Sequence, residues 1–344
     1  MSIIERGESI GVAVEAPLEI ADDGEVKARG YWEQVWLRFK RDRAALAGGI
    51  VVILMVLVAF VGAPLTAHIL GHGPNAVNTR NAYVANDYVP VGPLTQVDSP
   101  DGSGSWFYVL GADGSLGRDE FLRLLYGAQV SLLVAVIATI VGVGFGILLG
   151  VIAGYYSGWR DTLVSRLIDV IMAFPFLLFA IALAATIGDR VNSYTTFGVL
   201  EPGTMTVIIV LSIFSWFYPA RIIRGQVLSL REKEFVEAAR MVGSSNWRIM
   251  SSHLMPHLMG PIIVYSTLIV AINVLAEAGL SFLHLGVKAP TASWGALLED
   301  ATAFYTVQPW LMLWPGLAVL MLTLAFNLLG DGLRDSFDPR GSAH

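Results

Sequence analysis

Two acidic residues, Asp169 and Glu277, stand inside long apolar runs, where a carboxylate is costly and is a functional candidate by default. Such a group can carry a proton, hold a cation or anchor a hydrogen-bond network. Asp169 lies three residues from Arg166, which points to a structural ion pair. Glu277 lies near Asn273 and His284, so it either faces a solute pathway or accepts structural hydrogen bonds, and the structural role is the leading expectation. His253 and His257 are one helical turn apart but have no third ligand near them, so no metal site is expected. A charged stretch, Asp113, Gly117, Arg118, Asp119 and Arg123, precedes another apolar run. It reads as an interfacial amphipathic helix, with Phe121, Leu124 and Leu125 toward lipid and Arg118, Asp119, Glu120 and Arg123 toward water. The absence of cysteine excludes disulfides, cysteine-ligated zinc and thiol catalysis. No Gly-Lys pair occurs, so there is no phosphate-cradling G-x-x-x-x-G-K-[ST] loop. GVGFG at 142–146 lacks the third glycine of a dinucleotide fingerprint and sits in an apolar run. No catalytic, cofactor-binding or metal-ligating residue is expected in this chain.

The elements that must position these residues are membrane helices. A chain that is 55% hydrophobic and 15% charged, with mean hydropathy +0.62, lies outside the range of soluble domains. Six apolar runs are long enough to cross a bilayer, at 44–66, 126–154, 163–188, 204–222, 258–283 and 310–330. The first follows 43 residues that include Glu15, Asp22, Asp23 and Glu25, and is read as a retained span rather than a signal peptide. With the amino terminus inside, the cytoplasmic segments 1–43, 157–166, 221–257 and 331–344 hold 7, 2, 6 and 2 basic residues. The outer segments 66–125, 189–203 and 284–309 hold 3, 1 and 1. This asymmetry sets the orientation, with both termini cytoplasmic. The expected architecture is an all-α membrane protein of six transmembrane helices: a cytoplasmic segment 1–43, a first helix 44–66, an outer segment 67–125 and a five-helix core 126–330. A cytoplasmic loop 225–257 interrupts the core, and a tail 331–344 follows it.

Gly142, Gly146, Gly150 and Gly154 recur every four residues, a spacing that lets membrane helices approach closely. Pro175 is expected to kink the third span. In the outer segment, LTQVD, SPDGSG and SWFYVL read as a β-hairpin that either contacts a partner or packs as a lid.

The loop at 225–257 carries EFVEAARMVG, residues 234–243, a charged, alanine-rich stretch in an oily chain. Glu and Arg residues three apart face one another on a helix, while Ala238 and Ala239 admit close approach of another surface. Gly243, Ser244 and Ser245 end that helix. A second amphipathic stretch from Trp247 to Met255 precedes Pro256 and the fifth span. A short helix, a bend and another short helix suit insertion into a partner's groove, although a solvated connector has the same composition.

Glu237, Ala238, Ala239, Arg240, Gly243 and Pro256 resemble the EAA loop of bacterial ABC importer permeases, E-A-A-x3-G-x9-I-x-L-P, with His253 and Met255 at its Ile and Leu positions. LGADGSLGRDEFLRLLYGAQVSL, residues 110–132, is similar to the L-G-T-D-x-x-G-R-D signature of C-type subunits of dipeptide, oligopeptide and nickel importers. One residue is inserted in the Gly114–Ser115 turn, and Ala112, Leu122 and Gln129 replace Thr, Ser and Arg. EAGLSFLHLG with SWG resembles a third family stretch, with His284 in place of glycine. Asn327, Gly330, Asp331, Leu333, Arg334, Asp335, Asp338, Pro339 and Arg340 fit the family's tail. The four stretches tile residues 110–340.

The resemblance implies a type I importer permease fold in the bacterial inner membrane, with the EAA loop as the coupling helix that docks on an ATPase. It implies a sister permease, two ATPase subunits that bind ATP and Mg, and an external solute-binding protein, with the lipid bilayer as surroundings and no nucleic-acid partner. The implied cargo is peptide, nickel or another small solute being the alternative. An ion-coupled secondary transporter working alone would show paired midplane charges and repeated broken helices, whereas only isolated Asp169 and Glu277 occur.

Overall fold

The computed structural model describes residues 30–79, 82, 89–102, 104–114, 116–194 and 203–338. Most of the amino-terminal segment, Ser115, Pro339 and Arg340 lie outside the described residues. A short amphipathic helix, α1 (Tyr31–Phe39), precedes α2 (Arg43–Leu57), which runs through a π-turn at Val58–Gly62 into α3 (Ala63–Leu70). The side chain of Asp42 caps α2 by accepting from the Ala44 and Ala45 N–H groups. Strands β1 (Thr95–Asp98) and β2 (Ser105–Tyr108) form an antiparallel hairpin, Thr95 opposite Tyr108 and Asp98 opposite Ser105.

Next come α4 (Glu120–Tyr156), α5 (Trp159–Ala173), α6 (Phe176–Tyr194), α7 (Thr204–Ser215) and α8 (Phe217–Leu230). The short α9 (Glu234–Met241) and α10 (Asn246–Arg248) lead through a π-turn into α11 (Met255–Phe282), followed by α12 (Trp294–Asp300) and α13 (Trp310–Phe337). Among the described residues, five helical runs are long and apolar enough to cross a membrane: Arg43–Leu70, Glu120–Tyr156, Thr204–Leu230, Asn246–Phe282 and Trp310–Phe337. The pair α5 and α6 makes a sixth if counted as one span.

Three sequence expectations change here. The run expected as one kinked span at 163–188 bends by 93° between α5 and α6, because the Phe174–Pro175 step is extended and proline cannot continue the hydrogen-bond ladder. The stretch from Trp247 to Met255 is not a separate helix but the start of a helical run ending at Phe282. The charged stretch before the second span is not an interfacial helix. Glu120 already begins α4, and Arg118, Asp119, Glu120 and Arg123 are buried instead of facing water, because loops distant in sequence fold over them.

α4, at 37 residues about 55 Å long, is the central rod. Its glycine stripe seats α7 and α8: a Cβ on Gly150 would lie 2.7 Å from the Ala220 carbonyl oxygen, and one on Gly154 would lie 2.8 Å from Val227 Cβ. Packing at this distance is the main attraction between helices in lipid, where apolar burial alone gives no preference. On another face of α4, Ala128, Leu132 and Ala135 pack with Val270, Val274 and Ala278 of α11, Trp294 and Leu297 of α12, and Leu322 and Phe326 of α13. α2 closes against α13, where a Cβ on Gly48 would lie 2.6 Å from the Ala325 carbonyl oxygen.

Candidate functional site

The loop between α8 and α11 is anchored through Val236 and through Ile249, Met250 and Leu254, and is exposed around its turn. Val236 is fully buried among Val151, Tyr155, Ile223, Val227, Ile249 and Leu254, so α9 is held against α4, α8 and the start of α11. Glu237, Ala238 and Arg240 are exposed, Ala239 is half-buried, and Met241 and Val242 are 83% and 86% exposed. α9 ends because Gly243 adopts φ +84°, the left-handed conformation that glycine accepts without a Cβ penalty. The Ser244 N–H then donates to the Ala239 carbonyl at 3.0 Å and the Gly243 N–H to the Arg240 carbonyl at 2.9 Å, which satisfies the last carbonyls. Ser245 starts the next helical run by accepting from the Arg248 N–H at 3.3 Å.

Arg240 does not pair with Glu237 as their spacing allows. Its guanidinium lies 5.6 Å from the centre of the Tyr155 ring, while the Tyr155 hydroxyl donates to Asn246 Oδ1 at 2.8 Å. Tyr155 on α4 thus grips both sides of the turn. Pro256 is exposed and follows directly on the π-turn at Ile249–Leu254, within the helical run that ends at Phe282. His257 packs its ring 5.0 Å from Phe235. Among the described residues, no group of three or more His, Asp or Glu side chains is placed to hold a metal ion.

Glu277 and Asn273 each centre a buried polar network inside the bundle, whereas Asp169 is in an exposed ion pair. Both Glu277 carboxyl oxygens are engaged: Ser131 Oγ donates at 2.7 Å and Ser281 Oγ at 2.8 Å. Those hydroxyls accept in turn from the backbone N–H groups of Trp294 and Val287, at 3.3 and 3.2 Å, so Glu277 ties α4, α11 and the segment leading to α12 together. Asn273 accepts from Ser215 Oγ at 3.1 Å and donates to Thr139 Oγ1 at 2.9 Å, joining α11 to α7 and α4. Asp169 accepts from Arg221 on α8 at 2.8 Å, not from its sequence neighbour Arg166, because the α5–α6 turn lays α5 alongside α8. Arg224 and Asp161 make a second link between these helices, with one nitrogen–oxygen distance of 3.0 Å.

At the opposite end of α4, the charged stretch is a buried knot. Asp113 accepts from Arg118 Nε at 2.7 Å and lies 2.8 Å from Arg123 Nε. Both arginines also reach Asp300 at the end of α12, at 3.1 and 3.5 Å, and Arg123 donates to the Pro290 carbonyl at 3.1 Å. Asp119 caps α4 by accepting from the Leu122 N–H and pairs with His72 Nε2 at 2.9 Å, whose ring stacks on Trp106 of the hairpin. Gly117 is at φ +63°, and a Cβ there would lie 2.6 Å from the Asn78 carbonyl oxygen. Burial pushes the Asp300 carboxyl above the usual aspartate range against the opposing pull of the two guanidiniums. The sequence carried Asp113, Arg118, Asp119 and Arg123 as a motif, but His72, the partner of Asp119, and Asp300, the partner of both arginines, are distant in sequence and no motif included them.

The model of the family described as "Binding-protein-dependent transport system inner membrane component" matches residues 146–342, the stretch that holds α9 and its turn. The model described as "N-terminal TM domain of oligopeptide transport permease C" matches residues 30–90. The glutathione transport system permease protein GsiD of Escherichia coli O6:K15:H31 (strain 536 / UPEC) is 39% identical over 314 residues, covering 91% of this chain and 92% of the relative. The protein of the same name from Shigella boydii serotype 4 (strain Sb227) matches with the same identity and coverage. In fold, the chain is similar to a solved structure titled "Inward facing conformations of the MetNI methionine ABC transporter". The TM-score is 0.50 at 15% identity, over 63% of this chain and 96% of that one. The chain therefore belongs to the binding-protein-dependent ABC importer permeases, as a multi-pass inner-membrane component of the peptide-transport type.

Proposed function

We propose that this chain forms half of the translocation pathway of an ATP-driven peptide importer, with α9 and its turn as the surface that docks on an ATPase subunit. The observation that carries the reading is the surface at 237–243, exposed on one side and fastened through Val236 to α4, α8 and α11 on the other. A displacement imposed on α9 passes to these helices as a body, because Val236 and the Tyr155 contacts leave α9 little freedom of its own. ATP binding and hydrolysis occur in separate subunits and close them on the loop; this chain and a sister permease then exchange inward and outward openings. The termini and α9 face the cytoplasm, as the excess of Lys and Arg in those segments supports. An external solute-binding protein delivers the cargo, a small peptide of the size class named for the glutathione permeases.

The test is purification of the tagged chain from its native membrane in mild detergent, with mass spectrometry of what accompanies it. A second permease, ATPase subunits and a binding protein with peptide on it are the expected companions. A chain that emerges alone and moves solute in vesicles without ATP contradicts the proposal.

A further inference from the structure

α1 has an apolar face that the protein only half covers. At 100° per residue, Tyr31, Val35, Phe39, Trp32 and Trp36 fall within an arc of about 140°. Val35 and Phe39 are buried, yet Tyr31, Trp32 and Trp36 are 57%, 55% and 53% exposed. The helix is fastened to the end of α13: Trp32 meets the Phe337 ring edge-on at 5.9 Å, and Arg38 Nη1 donates to the Asp338 carbonyl at 2.8 Å. Its exposed aromatic flank is continued by basic side chains. Lys40 Nζ lies 5.1 Å from the centre of the Trp36 ring, and Arg41 and Arg43 are exposed at the junction with α2. Asp42, the acid among them, is engaged in capping α2, and Glu33 is the exposed acid on α1.

We propose that α1 and its junction with α2 form a binding site for anionic phospholipid, with Trp32 and Trp36 in the acyl–headgroup boundary and Lys40, Arg41 and Arg43 on the headgroup phosphate. Position argues for this occupant. α2 enters its apolar run directly from Arg43, so the junction lies at headgroup depth, the level at which Trp and Tyr concentrate. A basic cluster beside a span attracts anionic lipid, each residue contributing about fivefold. Because α1 grips Phe337 and Asp338, lipid held there also holds the end of α13. This inference requires only that α2 crosses the bilayer and is independent of the importer reading.

The experiment is native mass spectrometry of the full purified chain equilibrated with phosphatidylglycerol and phosphatidylcholine. The native chain is expected to retain phosphatidylglycerol preferentially, and the preference is expected to weaken with rising ionic strength. The Lys40→Gln/Arg41→Gln/Arg43→Gln variant is expected to lose that preference by about a hundredfold, three residues at about fivefold each. Should the triple variant not fold, Lys40→Gln alone and the salt titration of the native chain give the same reading on a smaller scale. Unchanged preference overturns the proposal, as does equal loss of both lipids, which would mark a purely structural role. Displacement by glycerol phosphate as effectively as by the lipid would mark a free-phosphate site and overturn it too.

Discussion

Gly150→Ala tests whether α4 is packed as closely on α8 as the structure states. The added Cβ would lie 2.7 Å from the Ala220 carbonyl oxygen, 3.1 Å from Ile223 Cβ and 3.2 Å from Ala220 Cα, all inside the 3.4–4 Å of ordinary contact. Two of these are backbone atoms, which cannot rotate away, so the helices must separate. Overpacking of this kind costs about 1–3 kcal/mol, against roughly 1 kcal/mol gained when alanine replaces glycine within a helix. Gly144→Ala on the same helix is the control, since nothing lies within 4 Å of its added Cβ and only the gain remains. The pair should therefore differ by about 1–3 kcal/mol, with Gly144→Ala the more stable. Thermal unfolding in detergent, followed by size-exclusion recovery after heating, reads the difference as several degrees. Equal midpoints, or Gly150→Ala above Gly144→Ala, would refute close packing along the stripe.

Three further outcomes follow from the polar networks. Glu277→Ala strips acceptors from Ser131 and Ser281 and should cost about 1–3 kcal/mol per buried group left unpaired; Glu277→Gln, which keeps one acceptor oxygen, should cost less in the same melt. Arg123→Met removes one of the two guanidiniums on Asp113 while Arg118 remains, and should destabilise by about 1–3 kcal/mol, read as lower yield of monodisperse protein. Because burial raises the folded-state pKa of Asp300, the native state holds its proton more tightly than the unfolded chain does, so stability from this group falls as pH rises through the window between the two values. Asp300→Asn should flatten that part of the profile, and an unaltered slope in pH-dependent melts would count against it.

Spans and the glycine stripe were legible because length and four-residue spacing report directly on helices in lipid. The turn at Gly243 was legible too, since its conformation is a local property of one residue. Side-chain partners were not. Asp169 sits three residues from Arg166 yet binds Arg221, because the turn at Pro175 redirects α5 onto α8 and nothing local encodes that direction. The charges at 113–123 look alike whether they face water or a folded loop, and Asp300, the group that decides, lies 177 residues from Arg123. α1 could have been found from Trp32, Val35, Trp36 and Phe39 at helical spacing, a signal obscured by the polar residues around it.

The most direct measurement exploits the absence of cysteine. Val242→Cys places one thiol in the chain at an exposed position beside the turn, and Leu116→Cys places one at the opposite end of α4 as control. In native membranes treated with a short thiol-to-amine cross-linker, the account predicts that Val242→Cys joins this chain to an ATPase subunit, with a yield that changes on adding ATP, while Leu116→Cys does not. Absence of any ATPase adduct at Val242, in membranes where ATP-driven uptake is intact, would contradict docking through α9.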